Sequence, residues 1–314
     1  MKKDKQWIKF FDDNVRYSDV INGFVCKGEQ IICPSDLMEL DTKENGKYRD
    51  MLRKVAFGVG FAIVGIENQE TIDYSMPIRI MEYDSGCYRK QKGKITRRNR
   101  RNFKKNKRTP SCLDNGEFLY AFLKSDKVYP VVTFILYAGK EEWKGPKCLH
   151  DIIDFYGVPE QIQKLVENYH IHIVDIRRIK DTSVFKSDVK QVFDFLKCTE
   201  DKRALFNLIQ KDSYYKSMDL DAYEVIKSYT NISKNIKKEE YSVEGGIDVC
   251  KAIQDLITDS KMEGREEGRE EGVLVAQKDI ISNMLKQNVP IESICLFTGC
   301  NLEFVNAVKN GVVA

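Results

Sequence analysis

The segment "YRDMLRKVAFGVGFAIVGIENQ" (residues 48–69) has the sequence pattern of two β-strands joined by a tight turn. Two apolar runs flank Gly58 and Val59, and both runs contain the β-branched and aromatic residues that strands favour. A glycine at the first central position suits a two-residue type II′ turn. We therefore predict a β-hairpin in which Phe57 pairs with Gly60.

The same register would place two acidic residues opposite each other, since it pairs Asp50 with Glu67. Directly paired Cβ atoms lie about 5 Å apart, so two carboxylates there repel each other. A divalent cation between them reverses the sign of that interaction, and Mg²⁺ commonly takes one or two carboxylates. A bulge would undo the register. The alternative is that both acids are ordinary strand-end residues that face water beside Arg49 or Arg53.

Around the hairpin, helical and strand patterns alternate along the chain. A helix is predicted to begin between Asp73 and Pro77, with Met76, Ile80 and Tyr83 on one face. Further helices are predicted over residues 5–25, 148–157 and most of 183–237, and strands over 128–139 and 171–179. Helices between strands, followed by helices alone, predict an α/β fold: a mixed core sheet flanked by helices, with a helical C-terminal extension.

One segment concentrates positive charge. Residues 89–108, RKQKGKITRRNRRNFKKNKR, contain twelve Lys or Arg and no acid, which leaves 39 basic against 48 acidic residues elsewhere. An acidic body with one basic segment is typical of a protein that meets a polyanion at one place. We predict a loop that binds phosphates without reading sequence. RNA, a membrane surface or nonspecific adhesion are the alternatives.

Bulk composition narrows the class of protein. The chain has 314 residues, 42% hydrophobic and 32% charged, as expected of a soluble globular protein. No apolar run approaches the roughly 20 residues that span a bilayer. Nine cysteines without a CxxC pair, beside three histidines, predict reduced thiols rather than disulfides or a zinc site. We expect a cytoplasmic protein.

The C-terminal part carries a glycine-spaced charged repeat, EGREEGREEG (263–272), which predicts a charged linker helix. Residues 281–311 have the pattern of two short helices joined through Gly299. Helix-turn-helix units share this pattern with small helical caps. These C-terminal helices are the expected route to a homo-oligomer.

Four motifs together resemble the recombination-promoting nuclease/putative transposase family of the PD-(D/E)XK nuclease superfamily. They are "YRDMLRKVAF", "VGIENQ", "DYSMPIRIMEYD" and "YPVVTFILYAGKEEWKGPKCLHDII", and the resemblance covers about residues 5–180. It implies a restriction-endonuclease-like sheet and DNA cleavage that depends on Mg²⁺ or Mn²⁺ and is linked to recombination. It assigns Asp50 and Glu67 as metal ligands and places Gln69 where the superfamily usually has lysine. An amide can orient a water molecule but cannot take a proton as an amine would.

The resemblance also implies DNA contacts by Tyr83 and Gln91. Arg79 is predicted to join them, with a salt bridge to Glu82 or Asp84 as the alternative. The basic segment adds the remaining predicted DNA contacts: Arg97, Arg98, Arg100, Arg101, Lys104 and Lys105.

The predicted domains are a nuclease-like domain over residues 1–180 with a basic insertion at 89–108, a helical extension over 181–260 and a helix-turn-helix-like tail over 261–314. The expected function is a Mg²⁺-dependent DNA endonuclease of transposase-like origin. The alternative is a catalytically degenerate module that binds DNA or a protein without cutting.

Overall fold

A computed structural model describes residues 2–40, 43–44, 47–48, 51–57, 60–105, 113–229 and 240–311. By its contacts the chain divides into two compact units, Met1–Val249 and Cys250–Ala314. The predicted boundaries after residues 180 and 260 stay predictions. In the described part of the chain, no helix combines the length and the apolar character that crossing a bilayer requires.

A five-stranded mixed sheet lies at the centre of the first unit. The strands of the described chain are β1 (Leu37–Glu39), β2 (Lys43–Glu44), β3 (Lys47–Tyr48), β4 (Met51–Phe57), β5 (Gly60–Gln69), β6 (Val131–Tyr137), β7 (His172–Asp175), β8 (Ser242–Val243) and β9 (Gly246–Ile247). The central sheet has the order β1-β4-β5-β6-β7. Its β1, β4 and β5 are antiparallel, whereas β5, β6 and β7 run parallel.

Helices make up most of the remaining regular structure. They are α1 (Lys2–Phe10), α2 (Asn14–Val25), α3 (Met76–Lys105), α4 (Asn115–Tyr120), α5 (Glu160–Gln163), α6 (Val189–Cys198), α7 (Lys202–Lys211), α8 (Leu220–Ser228), α9 (Val249–Lys286), α10 (Ile291–Thr298) and α11 (Leu302–Lys309). This arrangement confirms the predicted α/β class and is consistent with a restriction-endonuclease-like core.

The β4–β5 hairpin has the predicted register. Phe57 pairs with Gly60, and the ladder continues without a bulge to Met51 and Ile66. Asp50 precedes Met51 and lies outside the described residues. The confirmed register therefore reaches the residue immediately before Glu67.

Helix α3 covers one face of the sheet. It begins at Met76, within the predicted range, and its buried Met76, Ile80 and Tyr83 pack against Ile135 and Tyr137 of β6. Residues two apart on a strand share a face, so Ile135 and Tyr137 lie on the side of the sheet that α3 covers. This packing fixes the first half of α3 over the parallel strands.

Residues 89–105 of the basic segment do not form a loop, so that prediction was wrong for them, and residues 106–108 lie outside the described residues. Residues 89–105 are the second half of α3, which runs without interruption for 30 residues. Lys and Arg are good helix formers. In addition, the buried Asn99 amide donates to the Ala121 carbonyl oxygen at 3.0 Å and to Asp126 at 2.6 Å. The helix propensity of these residues and the hydrogen bonds of Asn99 together extend the helix beyond the core.

Three further predictions needed correction. Residues 5–25 form two helices, because Asp13 caps α2 by accepting from the Val15 amide, and Val15 is exposed rather than buried. Residues 148–157 contain a single 3₁₀ turn, Leu149–Ile152, in place of a helix. The strand predicted over residues 171–179 ends at Asp175, where another 3₁₀ turn, Ile176–Arg178, begins.

The second unit contains the predicted helix pair. Buried Ile281, Ile294 and Val305 bring the end of α9 together with α10 and α11. Gly299 ends α10 with φ of +68°, a left-handed conformation that glycine adopts without steric cost. Residues 263–272 lie within α9, so the charged repeat is helical as predicted.

The first unit is also held by a buried arginine. The Arg16 guanidinium donates to both carboxylate oxygens of Asp188, at 2.8 and 2.7 Å, and lies 2.7 Å from an Asp219 oxygen. We predict that Arg16→Met lowers the free energy of unfolding by about 3 kcal/mol, because it leaves Asp188 without its buried cation. Urea denaturation followed by tryptophan fluorescence measures this, since Trp7 and Trp143 are both buried in this unit.

Glu160→Gln is the control, because it removes only the exposed Lys164–Glu160 pair. We expect that change to stay within about 0.5 kcal/mol. Equal losses in the two variants would contradict the importance of the buried network.

Candidate functional site

Glu67 lies near the end of β5 in the middle of the sheet. It follows Ile66 on the central strand, pairs with Ile135 of β6 and is 0% exposed. Its Oε1 accepts a hydrogen bond from Arg79 and a long one, 3.5 Å, from the Gln69 amide. Because residues two apart on a strand share a face, Glu67 and Gln69 lie on the α3 side of the sheet. The structure thus brings these two predicted residues together.

Arg79 supplies the positive charge beside Glu67. It lies in the first turn of α3, and besides Glu67 it donates to the Tyr83 hydroxyl at 3.0 Å and to Asp73 at 3.4 Å. The alternative prediction for Arg79, a salt bridge to Glu82 or Asp84, was wrong about the partners, because the ion pairs of Arg79 are with Glu67 and Asp73. This geometry holds the guanidinium against the end of β5.

The electrostatics of this cluster favour the charged forms. Burial alone would lower the pKa of Arg79, but Glu67, followed by Tyr83 and Asp73, raises that pKa above its ordinary value. Burial alone would raise the pKa of Asp73, but hydrogen bonds from Ser75 and Arg79 lower it. Arg79 and Asp73 are therefore both charged at neutral pH.

The donor set for a metal is incomplete in the part of the chain that the structure describes. No group of three His, Cys, Asp or Glu side chains that could hold a metal occurs among those residues. Glu67 is one carboxylate at the site, and the predicted second ligand, Asp50, lies outside the described residues. The residues fit Mg²⁺ only if Asp50 joins Glu67, since Mg²⁺ needs few carboxylates but hard oxygen ligands.

Arg53, the proposed neighbour of the hairpin acids, is bound elsewhere. Its guanidinium is buried and donates to the Asp12 carboxylate at 3.0 Å, with Glu39 at 3.8 Å. Arg53 pairs with Val64, so it lies on the opposite face of the sheet from Glu67. Its position does not support the alternative in which Arg53 neutralises Glu67.

Tyr83 and Gln91, both predicted DNA contacts, have internal partners. Tyr83 is only 7% exposed and accepts from Arg79. The Gln91 amide donates to the Tyr129 carbonyl oxygen at 3.1 Å and accepts from the Tyr129 amide at 2.7 Å. These contacts favour positioning roles: Tyr83 holds Arg79, and Gln91 holds the backbone of Tyr129.

The predicted phosphate contacts lie on the exposed second half of α3. Four of them share one groove with Lys94 and Asn102, which we call the basic groove: Arg97, Arg98, Arg101 and Lys105. Arg100 and Lys104 are exposed on the same half of the helix. Arg98 is also bound to Asp126 at 2.9 Å. The helix thus arranges the cations along one rigid element instead of a loop.

A buried polar network that the sequence did not reveal supports α3 behind the site. Thr133 of β6 donates to Asp84 at 2.6 Å, and the Tyr169 hydroxyl donates to the other oxygen of the same carboxylate. Tyr169 is 85 residues from Asp84. No local pattern signals such a contact, because it depends on how β6 and the chain before β7 pack beneath the helix.

Comparison with known protein families finds a match over part of the chain. The family described as "Putative transposase, YhgA-like" matches residues 117–220, which supports the family resemblance found in the sequence. The matched stretch begins in α4 and includes β6, β7, α6 and α7, so Glu67 and Arg79 precede it. No curated protein matches the chain, and no solved structure does.

The Glu67–Arg79 pair predicts a strong energetic coupling. Arg79→Met should destabilise the protein by about 2 kcal/mol, because it leaves a buried carboxylate without its cation, although partial exposure of Arg79 moderates the loss. Combining it with Glu67→Gln should recover at least about 1 kcal/mol relative to the sum of the single changes. A double-mutant cycle of urea unfolding measures the coupling.

The matched control is the more exposed Arg178–Asp175 pair. Its cycle, with Arg178→Met and Asp175→Asn, should give a coupling below about 1 kcal/mol. Simple additivity at Arg79 and Glu67 would contradict the pairing that the structure shows.

Proposed function

We propose that this protein is a Mg²⁺-dependent DNA endonuclease of transposase-like origin that hydrolyses phosphodiester bonds and promotes DNA recombination. The match of residues 117–220 to a transposase family supports its origin. The chemistry is inferred from the site around Glu67. A homo-oligomer formed through the C-terminal helices and a cytoplasmic location stay predictions.

The observation that carries the proposal is the buried carboxylate at the end of a regular hairpin ladder. The last described pair is Met51 with Ile66, and one further step in the same register would pair Asp50 with Glu67. A buried carboxylate is costly unless a cation compensates it. The same position therefore suits a divalent cation when Asp50 adds a second carboxylate.

In this proposal Asp50 and Glu67 hold the cation, and each other residue has a distinct task. Bound Mg²⁺ would polarise the phosphate and increase the acidity of a water molecule. The Gln69 amide, next to Glu67, orients that water by hydrogen bonding. Arg79 neutralises Glu67 and stays 33% exposed, where it can approach a phosphate oxygen. The basic groove binds the DNA backbone on one side of the site.

A specific observation favours the rival function, a DNA-binding module that no longer cuts. The guanidinium of Arg79 already neutralises Glu67. An arginine in that place compensates the buried charge without any metal. Gln69 in place of a lysine points the same way, since an amide cannot act as a base. The two functions differ in one respect that can be measured, which is metal-dependent cutting.

The first test is nicking of supercoiled plasmid in Mg²⁺ or Mn²⁺. We expect wild-type protein to nick, and both Asp50→Asn and Glu67→Gln to lose about a hundredfold or more of the rate, because metal catalysis contributes several kcal/mol. Both variants should still bind DNA, since the basic groove is unchanged.

Glu70→Gln is the matched control for nicking, since Glu70 is an exposed neighbour just beyond β5. It should nick at the wild-type rate. Absence of nicking by wild-type protein across supercoiled, linear and single-stranded DNA would favour the binding module. If Glu67→Gln nicked DNA at the wild-type rate, Glu67 would not be part of the catalytic site.

DNA binding should depend steeply on salt. Each phosphate contact contributes about 0.9 to the slope of log K against log salt on duplex DNA. Replacing Arg97, Arg101 and Lys105 together with Gln should therefore make that slope shallower by roughly 2.7. The measurement is fluorescence anisotropy with labelled duplex over a range of KCl concentrations.

The control replaces Lys164, Lys202 and Lys211 with Gln, because these exposed lysines lie on α7 or directly after α5, away from α3 in the chain. It should leave the slope close to that of wild type. An equal change in slope in both triple variants would show that total charge, rather than the basic groove, controls binding.

A further inference from the structure

A cavity with an apolar floor lies between α3 and the hairpin, apart from the Glu67 cluster. Its volume is about 450 Å³, within the roughly 300–1,000 Å³ of small-molecule sites. Leu52, Ile63 and Cys87, which form a small buried cluster, make the floor together with Leu40. Phosphate binding requires cations and not an apolar surface. These residues therefore indicate a ligand with an apolar face.

Cations surround this floor. Lys90, Lys94 and Arg97 recur at helical spacing on the α3 face that begins with Cys87, and Lys54 of β4 completes the rim. The α3 surface thus changes from apolar to cationic above the apolar Leu52 and Ile63 of the hairpin. Lys94 and Arg97 also line the basic groove, so the cavity and the groove adjoin. The rim suits a ligand that carries negative charge beside its apolar face.

Tyr129 forms the aromatic wall of the cavity, and its backbone is held in place. The Gln91 amide holds both the amide and the carbonyl group of Tyr129. Tyr129 is 40% exposed, and the Lys54 ammonium lies 4.7 Å from the centroid of its ring. A backbone that is already held lowers the ordering cost when a planar ligand stacks on the ring. The wall is therefore suited to a flat aromatic group.

The cavity is within reach of a DNA strand that passes Glu67. Ile63 and Glu67 are four residues apart on β5 and share its face, a separation of about 13 Å along the strand. Stacked nucleotides rise by roughly 3.4 Å each, so a base about four positions away can reach Tyr129. The cations continue along α3 from Lys90 to Lys105, a length of about 22 Å that suits several successive phosphates.

We propose that this cavity takes one unpaired nucleobase, which stacks on Tyr129 above the floor of Leu52 and Ile63. Lys90, Lys94 and Arg97 bind the flanking phosphates. The proposal rests on the DNA binding in the proposed function and adds a substrate class, DNA with an unpaired base near the cut. An anionic amphiphile would match the floor and rim, but its single headgroup leaves the cations beyond Arg97 without a ligand.

The test compares two DNA duplexes that differ by one unpaired adenine. Full-length protein is titrated in EDTA, and binding is followed by fluorescence anisotropy. Wild-type protein should bind the bulged duplex about tenfold more tightly than the perfect one, at the lower end of the effect of one stacked base. Tyr129→Ala should remove that preference, and Tyr129→Phe should keep it, because stacking needs only the ring.

Tyr156→Ala is the matched control, a tyrosine that is 95% exposed and lies outside the cavity. It should keep the wild-type preference. A second measurement places 5-iodouracil at the unpaired position. Photo-crosslinking should then attach the DNA to Tyr129, as mapped by mass spectrometry.

The proposal would be overturned if wild-type protein bound both duplexes equally. It would also be overturned if Tyr129→Ala lowered the affinity for both duplexes by the same factor. Binding of phosphatidylglycerol vesicles that depends on Tyr129, without a bulge preference, would overturn it in favour of an amphiphile. Because binding is measured without divalent cations, a bulge preference without nicking would support the cavity and reject cleavage. Nicking without a preference for the bulged duplex would support cleavage and reject the proposed cavity.

Discussion

The ion pair between Glu67 and Arg79 joins the central strand of the sheet to the helix that covers it. Burying a carboxylate is costly unless a positive charge lies beside it, and the first turn of α3 places Arg79 beside the buried Glu67. Tyr83 and Asp73 hold the guanidinium in turn. This ion pair fixes the first turn of α3 beside the end of β5. The position of the cationic second half then follows from the direction of the helix.

That direction gives α3 two different surfaces along one element. Its first half is apolar where it meets β6, and the Asp84–Thr133 contact adds a polar link to the same strand. Its second half leaves the core and carries the basic groove. The cavity lies at the change, where cations face the apolar floor of the hairpin. A single helix thus positions Arg79 beside Glu67, the basic groove and one wall of the cavity.

The sequence predicted what depends on neighbouring residues. A two-residue turn fixes a hairpin register, so the pairs down to Met51 and Ile66 followed from Gly58 alone. The helical state of the basic segment was missed, because its anchor, Asn99, finds its partners more than twenty residues away. The clamp of Gln91 on Tyr129 spans 38 residues and was invisible for the same reason. Contacts between residues that are distant in the sequence could not be predicted, because they form only when the helices pack on the sheet.

The proposed function requires that Glu67 share a divalent cation with Asp50, and metal binding tests this requirement without any assumption about the DNA. Electron paramagnetic resonance of Mn²⁺ titrated into the full chain counts bound ions directly. We predict one ion per chain in wild-type protein and in Glu70→Gln, and none in Asp50→Asn or Glu67→Gln at the same concentrations. Unchanged Mn²⁺ binding in both acid variants, or no binding by wild-type protein, would show that Glu67 and Asp50 do not share a cation.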